Sequence, residues 1–373
     1  MTIDVSALPV PARRVLSADA PAPLRAMAAK GVIPGLRPGD LVTVVALLAA
    51  DADAELARVA GETLRKLPAP VLTGALASDL EPEIIELLAE GYGTEPEVVE
   101  KLLRLPRIGD GALERLATMA TERTGELIAT NEELMLAHPV AIEKLYLNKR
   151  VRMSTADRLL ELAVRNGLEL SIPAFKEAAA AIKNELIMEA MDEPSPDDVL
   201  FNDTDRIAQS VGGDDADDTH EADDEGEEKL KDKFLPLYAQ LAQMTVTQKI
   251  RRAMLGTAAD RMLLVRDANR LVAAAAVQSP AMRESEAERI AASRMVGEDV
   301  LRIIAQNREF TRNYQVKLNL VTNPRTPFSF ASRLISHLRD GDLRSLARSK
   351  NVAGAVGKAA KQQIDRKTAG KKG

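Results

Sequence analysis

Cysteine and tryptophan are absent from the 373 residues, and aromatic side chains make up only 3% of the chain. Without cysteine there is no disulfide, no thiolate metal site and no cysteine nucleophile, which agrees with a reducing compartment. The longest apolar run near the start, Leu41 to Ala50, is ten residues long, whereas a membrane span needs about 20. The opening MTIDVSALPVPARRVL has no basic region followed by an apolar stretch, so it does not read as a signal peptide. These features point to a cytoplasmic protein without a membrane span. No segment sustains the alternation of apolar and polar residues that marks a half-buried strand, so no sheet is expected.

Chemistry-bearing patterns are equally scarce. Only His138, His220 and His337 are present, none with a partner at HExxH spacing. The acidic residues near His220 lack the glycine and terminal glutamate of a calcium-binding helix-loop-helix. The stretch KNVAGAVGKAAK superficially suggests a phosphate loop. However, Gly354 and Gly357 are two residues apart rather than four, and Ala359 replaces the magnesium-binding hydroxyl. It reads as a small-residue terminal helix. No serine–histidine–aspartate set or pair of catalytic carboxylates can be argued, so no catalytic residue, cofactor or metal is expected.

What the chain does have is alanine, leucine and charge, the composition of helices that lose little side-chain entropy on folding. The segments DAELARVAGETLRKLP, EPEIIELLAEGY, EPEVVEKLLRLP and GDGALERLATMA space their apolar residues by three and four. So do MTVTQKIRRAMLG, EDVLRIIAQN, NYQVKLNLVTN and TPFSFASRLISHL. Proline, glycine or aspartate bounds many of them, and Pro82 and Pro96 suit the first helical position. Ser154 and Asp157 resemble a capping box, and Asp267 precedes an apolar run that it could cap.

Charge is unevenly distributed. Residues 1–191 carry 21 basic and 28 acidic side chains, residues 192–228 carry 1 and 16, and residues 229–373 carry 28 and 12. The acidic stretch contains few apolar residues and is expected to be a disordered linker. The domain reading is therefore a partly irregular extension over 1–40, a helical repeat block over 41–191, the linker over 192–228, a basic helical repeat block over 229–365 and a basic tail over 366–373.

Segments also recur. Arg150–Gly167 aligns with Ser293–Glu309 at a shift of 142 residues, and Asp267–Pro280 aligns with Thr311–Pro324 at a shift of 44. The second alignment superposes Asn269 on Asn313, which points to a structural hydrogen bond at an inter-repeat turn. A period near 44 lies within the range of about 40–47 residues typical of stacked two- or three-helix repeats. These helix–turn–helix units resemble HEAT-like α-solenoids and, more loosely, bacterial leucine-rich-repeat-variant proteins without an assigned role. The resemblance covers about 110–165 and 245–365 and implies an all-α fold of two stacked-helix blocks.

The functional expectation is a non-catalytic scaffold or adaptor that binds a protein partner on the repeat surface. The alternative is a sequence-nonspecific nucleic-acid-binding protein that uses the basic block, with the acidic linker as an electrostatic mask. The candidate surface is Lys249, Arg251, Arg252, Arg294, Arg308, Arg312, Tyr314, Lys317 and Arg325. Asn307–Pro327 contains five of these residues. It is expected to end one helix and form the next, with Val316, Leu318, Leu320 and Val321 inward.

Overall fold

A computed structural model describes residues 3–17, 19–185, 187, 192–213, 216–222, 228–349 and 352–369. Among these residues the chain forms twenty-four α-helices, three short 3-10 turns and one two-stranded antiparallel hairpin. The fold is mostly helical, and no described helix is long and apolar enough to cross a membrane. Internal contacts divide the chain into two units, Met1–Leu170 and Ser171–Gly373. The division falls before the acidic stretch, which belongs to the second unit.

Local chemistry sets the helix starts. Pro82 and Pro96 occupy first-turn positions, where a missing N–H costs nothing. Thr121, Thr245 and Thr257 close capping boxes with Thr124, Gln248 and Asp260. The matching Asn269 and Asn313 both cap their own helices, accepting from the N–H groups of Leu271 and of Gln315 and Val316. Their bond is thus structural but local, and does not bridge repeats. Asp267 does not cap the next helix, because Asn269 holds that position. Ser154 does not open its helix either, since Met153–Arg165 begins one residue earlier behind Arg152.

In the N-terminal unit the helices pack in two rows. Pro82–Tyr92 packs on Asp110–Met119, which packs on Pro139–Tyr146. Pro96–Leu102 packs on Glu122–Ala129, which packs on Met153–Arg165. Ile84, Leu88, Leu113, Leu116, Ile142 and Leu145 are buried along the first row. Each such side chain contributes roughly 1.5–3 kcal/mol when removed from water. Polar groups link successive members of a row. Arg115 pairs with Glu86 29 residues earlier, and Arg152 with Glu122 30 residues earlier. The Asn148 amide donates to the carbonyls of Ala117 and Ala120 at 2.9 and 3.0 Å.

The C-terminal unit repeats this arrangement. Val246–Leu255, Arg270–Val277 and Glu298–Gln306 pack in sequence, as do Ala258–Leu264, Glu284–Ala292 and Tyr314–Thr322. The Asn323 amide donates to the carbonyls of Ala291 and Ser293 at 2.9 and 2.7 Å. A separate apolar cluster that includes Val321, Ile335, Leu343, Leu346, Val356 and Ala360 joins the last helices, Phe328–Ile335, Asp340–Arg348 and Gly354–Ala369. Val316, Leu320 and Val321 face inward as the sequence implies, and Leu318 is half-buried.

The acidic stretch departs from expectation. Residues Pro196–Ser210 form a helix opened by a Ser195–Asp198 capping box, with Phe201, Thr204 and Ala208 buried. Those three positions are spaced by three and four, so the helix has an apolar stripe that its net charge hides. Farther on, His220–Ala222 pairs with Glu228–Leu230 in the hairpin, with His220 opposite Leu230. Disorder is thus not found over these segments, and the hairpin corrects the expectation of no strand. Residues 214–215 and 223–227 of the stretch, and 370–373 of the basic tail, lie outside the described residues.

Candidate functional site

The nine residues of the candidate surface do not form one surface. Arg251 and Arg252 are buried, with relative exposures of 0% and 1%. Arg252 makes a two-pronged pair with Asp260, both N–O distances being 2.9 Å, and a third bond to Asp205 at 2.7 Å. Both guanidinium groups lie over the Phe201 ring, at 5.4 and 5.6 Å. Nearby, Arg261 pairs with Glu286 through two bonds of 2.8 Å and donates to the Gly256 carbonyl. Burial works against the charge of Arg252, but Asp260 and then Asp205 hold it protonated. Gly256 sits so close that an added Cβ would lie 2.5 Å from the Arg252 carbonyl oxygen and 2.6 Å from an Asp260 carboxylate oxygen. These arginines are structural. Adjacent cations need acceptors to be buried, and Asp205 and Asp260 supply them to Arg252 while Phe201 lies under both guanidinium groups.

Lys249 lies elsewhere, in the lining of a cavity of about 650 Å³ in the C-terminal unit. The hairpin contributes His220, Glu228 and Leu230, the helices contribute Tyr238, Leu241, Leu263 and Leu264, and the turn after Ala258–Leu264 contributes Arg266. Lys249 is paired with Asp267 at 2.9 Å. Arg266 donates to Glu228 at 2.8 Å, while Ser293 Oγ and the Arg294 backbone N–H also reach Glu228, at 2.8 and 3.0 Å. Burial pushes the Glu228 carboxyl up, but the bonds from Ser293 and Arg266 outweigh it and hold the group below the usual range. Burial, helped by Arg266 and opposed by Glu228, pushes the His220 imidazole down to about 4. His220 is therefore neutral at pH 7, and its Nδ1 bonds to Thr219 Oγ1 at 2.8 Å.

The remaining candidates are Arg294, beside the cavity residue Met295, and five residues toward the end of the chain. Arg294, Arg308, Arg312 and Arg325 are exposed, while Lys317 and Tyr314 are half-buried. Residues 310–373 carry fourteen basic and three acidic side chains, so the excess charge of the unit concentrates here. Arg308, Arg312, Arg344, Arg348, Lys358, Lys361 and Arg366 are exposed, and no ion pair forms at them among the described residues. Two aromatic rings here are covered by arginine, while Phe328 stays exposed. Arg339 lies 4.4 Å over Tyr314 and Arg333 lies 4.7 Å over Phe330. The Tyr314 hydroxyl bonds to Asp342 and accepts from the Arg339 N–H.

The cavity was not legible in the sequence, because its lining comes from the hairpin inside the acidic stretch, from separate helices and from the turns between them. The available signal was the THEA…EEKL pattern around His220, where the acidic run briefly gains strand-compatible side chains. Among the described residues no group of three or more His, Asp or Glu is placed to hold a metal ion. The chain matches no protein-family model and no curated protein.

Proposed function

We propose that the chain is a non-catalytic, cytoplasmic protein-interaction scaffold whose helices stack as a HEAT-like α-solenoid, and that its basic C-terminal end binds an acidic protein segment. The stacking part draws on the row-to-row bonds. Side chains reach partners 26–32 residues away, as in Arg107–Glu81, Arg115–Glu86 and Arg158–Glu126, and amides at Asn148 and Asn323 tie off preceding helices in the same way. Repeats that contact only their neighbours produce such regular offsets.

The observation that carries the binding part is the set of exposed cations without an ion pair among the described residues from Arg308 to Arg366, of which Arg344, Arg348, Lys358, Lys361 and Arg366 sit on helices that share one apolar cluster. Single-stranded nucleic acid binding draws on free aromatic faces for base stacking, and Tyr314 and Phe330 spend theirs on arginine. The exposed Phe328 adds an apolar contact suited to a polypeptide partner. A second reading, binding of duplex phosphates through charge alone, is favoured by the excess of eleven positive charges over 310–373.

Fluorescence anisotropy of the full chain with labelled poly-glutamate and with random-sequence duplex DNA, from about 50 to 200 mM salt, separates the two readings. Tighter binding of poly-glutamate, lost in Arg312→Glu/Arg344→Glu, supports the scaffold. Tighter and steeply salt-dependent binding of the duplex replaces it with the second reading. Binding of neither removes both.

A further inference from the structure

The cavity beside the hairpin plays no part in the proposed use of the basic end. Its volume of about 650 Å³ falls within the range of about 300–1,000 Å³ that holds small molecules. Leu230, Leu241, Leu263 and Leu264 give it an apolar interior. Leu235, Tyr238 and Met295 line it while remaining 49%, 54% and 55% exposed. They are three of the nine large apolar side chains left exposed among the described residues. Scattered single exposures are ordinary, whereas several around one concavity mark a binding site.

The polar part of the lining is balanced. Lys249 is matched by Asp267, and Arg266 by Glu228. An ionic ligand would bring an uncompensated charge into a partly desolvated space, which is costly. The Arg266 guanidinium also donates to the Met262 carbonyl and to Ser293 Oγ, and its Nε is enclosed by protein and does not open to the cavity.

We infer that this cavity is a binding site for a small, neutral, mainly apolar molecule. The apolar body takes the place of water against the leucines, and Leu235, Tyr238 and Met295 flank it. The site is independent of the basic end, so either can fail without the other.

The test uses the full chain and Nile red, a neutral dye whose emission shifts to the blue in apolar surroundings. Saturable binding with such a shift is expected. Ala242 and Ala268 belong to the lining but are exposed, so tryptophan at either position obstructs the cavity without disturbing the core. Ala242→Trp and Ala268→Trp should each weaken the dye at least about tenfold, whereas Phe328→Ser should leave it unchanged. Thermal melting checks that each variant folds. Pyrene, a neutral hydrocarbon, should compete with the dye, and the anionic 8-anilinonaphthalene-1-sulfonate should compete about tenfold less well than pyrene. Dye binding indifferent to both tryptophans, or abolished by Phe328→Ser, overturns the site. Equal competition by the sulfonate overturns the ligand class. Tryptophan variants that weaken poly-glutamate binding and spare the dye would reassign the cavity to the partner surface and end the proposal.

Discussion

The two units use similar packing and opposite electrostatics. In the N-terminal unit Arg115, Glu86 and Glu90 keep 36–46% of their side-chain surface exposed, and even Arg158 and Glu126 retain 22% and 24%. In the C-terminal unit Arg252–Asp260 and Arg261–Glu286 are almost entirely enclosed, at 1% and 0% and at 3% and 0%. Exposed pairs contribute little because water already solvates both charges. Enclosed pairs carry a desolvation penalty that only a complete set of partners offsets. One unit is therefore held by apolar rows with charge as trim, whereas the other is weakened whenever one member of an enclosed pair is lost without its partner.

Measurements can break that contrast. Asp260→Ala or Glu286→Ala strands an arginine in the core and should cost about 3–5 kcal/mol in urea unfolding, whereas replacing Arg261 and Glu286 together with methionine and leucine should recover most of the loss. A loss below about 1 kcal/mol in the single variants would mean that water reaches the pair. Leu116→Ala, which empties part of the N-terminal row, should cost about 2–5 kcal/mol, and hydrogen exchange should place the weakened helices in the N-terminal unit. The two amides are the same device used once in each unit. Asn148→Ala and Asn323→Ala each leave helix-end carbonyls without their donor and should each cost about 1–3 kcal/mol. Unequal losses would show that the shared device carries different weight in the two units.

A smaller effect follows from His220. Its folded pKa of about 4 lies below the ordinary 6.5, so between these values the unfolded chain binds more protons. Stability present above pH 6.5 is lost as pH falls toward 4. Allowing for solvent screening at a partly exposed ring, wild type should lose about 1–2 kcal/mol more than His220→Gln across that window, read from urea midpoints. The smallest change is expected at Arg115→Ala, below about 1 kcal/mol. A larger loss there would erase the distinction between the units.

Helix positions were legible because they depend on near neighbours. Pro82, Pro96 and the three-and-four spacing of EPEIIELLAEGY need no distant residue to be read. The fate of Arg251 and Arg252 was not legible, because QKIRRAML looks like a charged surface unless Asp260, eight residues beyond Arg252, and Phe201 and Asp205 are known to fold over it. Those last two lie in a stretch whose sixteen acidic side chains conceal the buried positions Phe201, Thr204 and Ala208. The basic end was readable as charge, but not the stacking of Arg339 on Tyr314, which comes from a helix twenty-five residues away. Composition predicts what a segment can tolerate, whereas burial of charge depends on partners that composition does not order.

The amides of Asn148 and Asn323 reach back 28–32 residues to fasten the end of an earlier helix. A fastening of that reach answers only to its immediate predecessor. Such a chain can gain or lose a whole helical step by duplication or deletion, because the new joint meets the same carbonyls as the old one.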